Sequence, residues 1–226
     1  MENARLDKFI KDVIKDVNKN IIDILNKNLN PKEKEKNKYG EIFTPIPLVC
    51  EMLHKLPNGI WGDKNLKWLD PANGIGNFPV IIYYKLMKCL RKKIKNKKER
   101  SKHIIENMLY MNEINPTNIE MSKKIFTMID PDATPNIQKS DFLKNFNTFN
   151  DGTNKFDIII GNPPYNSGGI KAITTDKVKR DQTKYKTIWS AFIKKSFKIF
   201  KNDNSYLLFL RPASWIGLKS TNGDLM

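Results

Sequence analysis

A short apolar run, Phe156–Ile160, leads directly into a turn that contains two consecutive prolines. The run is rich in β-branched residues, which is typical of a central parallel strand covered on both faces. Gly161 interrupts the run, and Pro163 and Pro164 predict a rigid turn that lacks backbone donors. Open α/β sheets bind ligands at the carboxyl ends of their strands, so the turn Asn162–Tyr165 is a candidate site.

This turn presents an amide, carbonyl acceptors and an aromatic ring, which together suit one chemical problem. The exocyclic amine of adenine is a weak nucleophile because its lone pair is delocalised into the ring. The side-chain oxygen of Asn162 and the carbonyl of Pro163 can accept its two hydrogens. Tyr165 can stack on a base that has been taken out of its helix. A structural Pro-Pro turn, with Tyr165 in ordinary packing, is the alternative.

A second motif, KWLDPANGIGNF at Lys67–Phe78, predicts a strand at 66–69, a carboxylate at Asp70, a glycine loop and a helix. Gly74 and Gly76 permit a ligand to approach the backbone closely, near the positive end of the helix. The third glycine of the dinucleotide fingerprint is missing, and Asp70 suits an amino group better than a pyrophosphate. An ordinary strand-to-helix turn fits the same residues.

The next predicted strand, 108–111, ends at Asn112 and Glu113. An acidic residue at the end of the second strand commonly binds ribose hydroxyls. Glu113 could equally be a solvated carboxylate or a cap for the helix that begins near Pro116.

With these motifs in order, the chain resembles the N6-adenine DNA methyltransferases that use S-adenosylmethionine and whose cofactor motifs precede the catalytic one. The resemblance covers most of residues 39–216. It implies a class I methyltransferase fold, which is an α/β, Rossmann-like, mainly parallel sheet with helices on both faces. It also implies methyl transfer to the N6 of a flipped adenine in duplex DNA, as in restriction-modification enzymes.

The resemblance extends to single residues. Tyr39–Pro45 (YGEIFTP) looks like the amino-terminal cofactor motif, Asp70 would pair with the methionine ammonium, and Glu113 would bind the ribose, with Ile114 beside the cofactor adenine. Ser205–Trp215 resembles the fifth-strand segment. The implied cofactor-binding residues are Thr44, Pro45, Asp70, Gly74, Gly76, Glu113, Ile114, Asp141 and Phe142. The implied catalytic residues are Asn162, Pro163, Pro164 and Tyr165.

Two features depart from the family pattern. Asn73 stands where the family often has Cys, and we expect that change to be tolerated. Glu113 lies about twice as far from Asp70 as the roughly 20 residues of the general fingerprint. A lysine-rich helix and linker between them is interpreted as an insertion.

The chain is strongly basic, with 40 Lys and Arg against 24 Asp and Glu and a net charge of +16. This favours a polyanionic partner, although an AT-biased genome also enriches Lys, Asn and Ile. The two cysteines, Cys50 and Cys89, have no metal-ligand spacing, so no metal site is expected. Neither a transmembrane run nor a signal peptide is recognisable, which predicts a soluble, cytoplasmic protein.

We expect two regions, an amphipathic helix over residues 4–29 with a charged linker (1–38 in all) and a catalytic domain at 39–226. The basic run Lys85–Lys102 is most simply a solvated face, with DNA contact as the alternative. The polar segment Gly168–Lys184 follows the candidate catalytic turn, and we expect a loop there that closes over the target strand.

The family sheet has seven strands, and little sequence follows Trp215. We therefore expect that the last two strands and a target-recognition region are absent or come from a partner chain. Three alternative functions remain: methylation of glutamine in proteins, methylation of adenine in RNA, and a non-catalytic nucleic-acid-binding subunit.

Overall fold

Five parallel strands form the centre of the computed structural model, which describes residues 2–29, 43–149, 152, 154–165 and 188–210. The strands are β1 (Trp68–Asp70), β2 (Leu109–Glu113), β3 (Asn136–Lys139), β4 (Ile158–Gly161) and β5 (Tyr206–Phe209). The sheet has the order β3-β2-β1-β4-β5, so β2 and β3 lie on one side of β1 and β4 and β5 lie on the other. The strands predicted at 66–69, 108–111 and 156–160 are confirmed, each within two residues at its start and end.

Helices occupy most of the sequence between these strands. They are α1 (Glu2–Ile14), α2 (Lys19–Lys27), α3 (Ile46–His54), α4 (Asn77–Cys89), α5 (Lys97–His103), α6 (Pro116–Ile129) and α7 (Trp189–Lys198). Short 3-10 segments lie at Asn58–Gly62 and Leu90–Lys92, and a π-helical turn at Ile104–Met108 leads into β2. None of the helices in the described ranges is long and apolar enough to cross a membrane.

Both faces of the sheet are covered, as the doubly apolar strands predict. Leu69, Tyr110 and Ile159 pack into one apolar cluster, whereas their chain neighbours Trp68 and Ile158 pack into the other. This alternation follows from the two-residue period of a strand. The larger cluster receives apolar residues from α2, α3, α4 and α6, and the smaller one receives Phe192 from α7.

The expectation of one amino-terminal helix was wrong, because the helix is interrupted between α1 and α2. Asn18 is the N-cap of α2, and its side-chain oxygen accepts a hydrogen bond from the Asn20 amide at 2.9 Å. Ile21 and Leu25 are buried in the larger core cluster, and Phe9 packs against it. The amino-terminal segment therefore packs on its own domain. The predicted linker lies outside the described residues, as does the loop at 168–184.

The parallel arrangement brings the carboxyl ends of all five strands to one edge of the sheet. Asp70 ends β1, Glu113 ends β2, and Gly161 ends β4 immediately before Asn162. Because β1 pairs with both β2 and β4, the three candidate motifs become neighbours in space.

Candidate active site

The glycine loop after β1 adopts a backbone that requires glycine at two positions. Gly74 and Gly76 have φ values of +57° and +104°, and Gly76 directly precedes α4. A side chain at Gly74 would also collide with Phe43, whose ring lies 2.8 Å from the position of a Cβ atom. The loop therefore requires glycine, because only glycine adopts a positive φ and permits so close an approach without strain.

Asp70 is buried at the start of the loop, with 3% of its surface exposed. Its Oδ1 accepts a hydrogen bond from the Ala72 amide at 3.0 Å, whereas Oδ2 has no hydrogen-bond partner among the described residues. Burial raises the pKa of the Asp70 carboxyl to about 8, against the lowering effect of the Ala72 amide, and the nearby Glu113 adds to the rise. A buried carboxyl with an unused acceptor is suited to a cationic donor.

Two more buried acceptors, one in this loop and one at the start of α4, lack partners in the described part of the chain. These are the side-chain oxygens of Asn73 and Asn77. The amide nitrogen of Asn73 bonds to Ser122 Oγ at 3.1 Å, so the bonding of its side chain is only half complete. With Asp70 Oδ2 included, the loop and the start of α4 hold three such acceptors, a pattern that favours a ligand rich in donors.

The segment before α3 is fastened to this loop by Asn77. Its Nδ2 donates to the Thr44 carbonyl at 2.7 Å, and Thr44 is itself buried. Pro45 is exposed and directly precedes α3. Residues 39–42 of the predicted motif lie outside the described residues. Sequence reasoning missed the part that Asn77 plays, because its partner is 33 residues away.

Both alternatives for Glu113 are wrong. Asn115 caps α6, since its side-chain oxygen accepts from the Thr117 amide at 3.1 Å, whereas Glu113 is buried. Its carboxylate accepts from the Gly74 amide at 2.6 Å and from the amides of Ile114 and Asn115 at 2.9 and 2.8 Å. Glu113 therefore connects the start of α6 to the glycine loop. Ile114 beside it is 44% exposed, an apolar side chain open to solvent at the edge of the site. A ribose contact of Glu113 stays a prediction.

Asn112 connects the ends of three strands, a function that was not predicted. Its Nδ2 donates to the carbonyls of Pro71 and Ser140, both at 3.1 Å. Its Oδ1 accepts from Ser140 Oγ in a short hydrogen bond. A polar residue inside an otherwise apolar strand was the available signal, but its partners are distant in sequence.

The segment after β3 separates the two residues predicted there. Asp141 accepts from the amides of Leu143 and Lys144 at 3.0 and 3.3 Å and is partly exposed. Phe142 is buried and stacks on Phe192 of α7, with ring centroids 5.0 Å apart. Phe142 therefore belongs to the core, and a cofactor contact of either residue remains a prediction.

The Asn162–Tyr165 turn lies directly beside Asp70. A Cβ atom added to Gly161 would be 2.5 Å from Asp70 Oδ1, so the end of β4 accommodates the carboxylate only because residue 161 is glycine. The Gly161 carbonyl accepts from the Leu210 amide at 3.2 Å, which fixes the turn to the segment after β5. The predicted cofactor carboxylate thus contacts the glycine that immediately precedes the predicted catalytic turn.

Within the turn, Pro163 is buried, whereas Asn162, Pro164 and Tyr165 are half-buried. The Tyr165 carbonyl accepts from the Ile188 amide at 3.0 Å, and burial raises the pKa of the Tyr165 hydroxyl. A cavity of about 180 Å³ adjoins the turn and is lined by apolar residues: Pro163, Trp189, Ile193, Leu207, Phe209 and Leu210. In the described ranges, no cluster of His, Cys, Asp and Glu could hold a metal ion.

Solved structures with the same fold include a DrdV–DNA complex, with a TM-score of 0.57 and 17% identity over 87% of this chain and 23% of the other. A protein from Listeria monocytogenes assigned to the class I S-adenosylmethionine-dependent methyltransferases has a TM-score of 0.52 and 19% identity. That match covers 88% of this chain and 55% of the other. The fold is therefore that of class I methyltransferases, as expected.

Sequence relatives agree with this fold. An uncharacterized adenine-specific methylase of Mycoplasma pneumoniae is 37% identical over 73 residues, which are 31% of this chain and 17% of that protein. The chain thus spans less than a fifth of that curated relative. The family model for the Eco57I restriction-modification methylases matches residues 3–224, nearly the whole sequence. The chain belongs to the Eco57I restriction-modification methylase family.

Proposed function

We propose that this chain transfers a methyl group from S-adenosylmethionine to the N6 of adenine in DNA. The observation that carries the proposal is the contact between Asp70 and Gly161. It joins a buried carboxyl with an unused acceptor to a turn that offers an amide and carbonyl oxygens. A donor-rich ligand and a base amine would therefore meet at one edge of the sheet.

The residues of the glycine loop fit the cofactor. Asp70 Oδ2, together with the side-chain oxygens of Asn73 and Asn77, offers buried acceptors for an ammonium group. Gly74 leaves room for a backbone approach, and the exposed side chain of Ile114 supplies an apolar surface for an adenine ring. Glu113 would receive the ribose hydroxyls in addition to its backbone partners. When bound, S-adenosylmethionine supplies an electrophilic methyl group on a sulfonium.

The catalytic turn would act by positioning and polarising the amine. The Asn162 side-chain oxygen and the Pro163 carbonyl would accept its two hydrogens and so favour a pyramidal nitrogen. Tyr165 would stack on the flipped base, which loses its neighbours when it leaves the duplex. The contact with Asp70 and the bond from the Leu210 amide hold the start of this turn in place.

DNA is the substrate that the relatives favour. The family is one of restriction-modification methylases, the Mycoplasma pneumoniae relative is adenine-specific, and the DrdV structure is a complex with DNA. The net charge of +16 agrees with a polyanionic substrate. Methylation of glutamine in proteins or of adenine in RNA would use similar chemistry. Identification of the methylated product distinguishes these two activities from methylation of DNA.

The test is transfer of labelled methyl from S-adenosylmethionine to unmethylated duplex DNA, followed by nucleoside analysis. We expect N6-methyladenine with the wild-type chain and a loss of at least a hundredfold in Asn162→Ala, with cofactor binding retained. Asn20→Ala, an exposed residue of α2, is the matched control and should act as wild type. Equal turnover in Asn162→Ala would refute the catalytic assignment, and label in RNA or protein alone would refute the substrate.

A further inference from the structure

Five exposed cations are concentrated between Arg91 and Lys97, a segment that we call the basic loop. The segment contains no acidic residue. Its cations are Arg91, Lys92, Lys93, Lys95 and Lys97. Sequence reasoning treated the surrounding run as a solvated face, and the structure adds three observations that favour a specific surface.

The backbone of the basic loop is fixed from inside the protein. The carbonyl of the buried Leu90 accepts from the amides of Lys93 and Ile94, both at 2.9 Å. Arg100 is buried beneath the loop, and its Nη1 donates to the carbonyls of Ile94 and Lys95 at 2.5 and 3.2 Å. The guanidinium thus holds the loop in shape, which keeps the surrounding cations directed at solvent.

Cations on either side of the loop are neutralised, whereas those of the loop are not. The flanking ion pairs are Lys88 with Asp12 at 3.7 Å, Lys98 with Asp132 at 2.6 Å and Lys102 with Glu106 at 3.9 Å. Within the described residues, the five cations of the basic loop form no ion pair and no side-chain hydrogen bond. The positive charge is therefore available to a partner.

The basic loop lies at the edge of the sheet opposite the candidate active site. Helix α4 begins in the glycine loop at Asn77 and ends at Cys89, directly before the basic loop. Its 13 residues span ~20 Å at 1.5 Å per residue. After the basic loop, the chain returns through α5 to the amino end of β2 at Leu109. The loop cannot contact the same base pair as the catalytic turn.

We propose that the basic loop binds the phosphate backbone of duplex DNA at a distance from the target adenine, an inference that rests on the proposed function. Lys and Arg side chains are the usual partners of phosphate oxygens, whereas protein interfaces are enriched in aromatic residues and depleted of Lys. The contact is independent of sequence and adds to the affinity for long duplexes.

The test compares two variants that remove the same charge. The first replaces the basic-loop cations with Gln: Arg91→Gln, Lys92→Gln, Lys93→Gln, Lys95→Gln and Lys97→Gln. The matched control replaces five exposed lysines of α1, α2 and their connection: Lys8→Gln, Lys11→Gln, Lys15→Gln, Lys19→Gln and Lys27→Gln. Binding of a fluorescent 30-base-pair duplex of random sequence is measured at several salt concentrations, without cofactor. Thermal unfolding midpoints check that both variants are folded.

We expect the basic-loop variant to bind the duplex at least tenfold more weakly at 0.1 M salt. The slope of log Kd against log salt should fall by about 2 to 4, because each lost phosphate contact contributes about 0.9. The control should stay within about twofold of wild type. Unchanged binding by the basic-loop variant, or equal losses in both variants, would overturn the proposal, and the latter would show a general charge effect.

This measurement is independent of methyl transfer. If loop-dependent binding is found in a chain that methylates no adenine, the proposed function fails while the DNA-binding surface stands. If adenine is methylated and the basic loop makes no difference to binding, the surface fails alone. A loop that captures an acidic protein but not the duplex would also refute the assignment to DNA.

Discussion

Two buried polar residues lie at the carboxyl ends of neighbouring strands, and their hydrogen bonding differs. Asn112 of β2 is 1% exposed, and both atoms of its amide are bonded to groups from the adjoining strand ends. Asp70 of β1 is 3% exposed, and one oxygen of its carboxyl has no partner among the described residues. Both side chains are buried at the same edge of the sheet. Of the two, only Asn112 has hydrogen-bond partners among the described residues for all of its polar side-chain atoms.

This difference separates a structural polar residue from a binding one. A buried acceptor left without a donor costs about 1–3 kcal/mol, so folding alone would favour completing the bonds of Asp70. The side-chain oxygens of Asn73 in the glycine loop and Asn77 at the start of α4 also lack partners among the described residues. Local violations of this kind are expected at functional sites, where a ligand completes the bonding. We therefore infer that Asn112 holds the strand ends together, whereas the carboxyl of Asp70 binds the cofactor.

The largest effect is expected from Asp70→Asn. Loss of the negative charge removes the partner of the ammonium, so the Kd of S-adenosylmethionine should rise about a hundredfold, within the ~1.5–3 kcal/mol of a hydrogen bond to a charged group. The unfolding free energy of the free protein should not fall, because the carboxyl gains little from its surroundings. Calorimetric titration and chemical denaturation measure the two quantities, with the exposed Asp203→Asn as control. An unchanged Kd for S-adenosylmethionine would show that Asp70, like Asn112, is a structural residue and does not bind the cofactor.

Asn112→Ala should show the reverse pattern. The substitution leaves the buried carbonyls of Pro71 and Ser140 without donors, so the unfolding free energy should fall by about 2–3 kcal/mol. Urea denaturation checks this, and the exposed Asn20→Ala should change stability by less than about 0.5 kcal/mol. A variant as stable as wild type would show that Asn112 does not hold the strand ends.

Gly161→Ala sharpens the comparison, because it disturbs Asp70 without changing its chemistry. The added Cβ would lie 2.5 Å from Asp70 Oδ1, so the carboxyl or the end of β4 must move. We expect cofactor affinity to fall about tenfold and methyl transfer to fall further, since the catalytic turn begins at the next residue. Gly59→Ala is the matched control, because no atom lies within 4 Å of its Cβ position. Equal kinetics for the two variants would argue against a functional contact between Asp70 and the turn.

Stability and cofactor binding should also depend on pH through Asp70. The pKa of the Asp70 carboxyl is about 8 in the folded protein against 3.8 for an ordinary Asp, so between about pH 4 and 8 the unfolded state binds fewer protons. The stability of the free protein therefore falls as pH rises through this window, by at most ~1.4 kcal/mol per pH unit from this group. Denaturation at a series of pH values measures it against Asp70→Asn, which should lack this component.

Cofactor binding should show the opposite dependence on pH. The ammonium pairs with the ionised carboxylate, so affinity should rise with pH up to about 8, and binding at neutral pH should release a proton. Calorimetry in buffers of different ionisation enthalpy detects that proton. No proton release in wild type, or equal release in Asp70→Asn, would place the ammonium elsewhere.

The strands and the two main motifs were predictable because they depend on local sequence. β-branched runs, glycines and prolines determine Trp68–Asp70, Ile158–Gly161 and the turns that follow them. The order of these motifs along the chain also indicated the fold. Their contact in space follows from the pairing of β1 with β4, a consequence of parallel topology.

The parts that were missed depend on long-range partners or on competition between local signals. Asn77 and Asn112 bond to groups 33 and 28 to 41 residues away, which no local pattern reveals. The break between α1 and α2 was hidden because the apolar period continues through it to Ile21. Phe142 matches a cofactor motif, yet the ring of Phe192 buries it in the core.

The most direct test of the account is the structure of the chain in complex with S-adenosylhomocysteine. We predict that the amino group of this ligand lies within hydrogen-bond distance of Asp70 Oδ2, the acceptor that lacks a partner among the residues that the structure describes. The thioether sulfur should then point toward the turn that begins at Asn162. A ligand bound elsewhere, or bound here with Asp70 Oδ2 still unpaired, would contradict the assignment of this carboxyl to the cofactor.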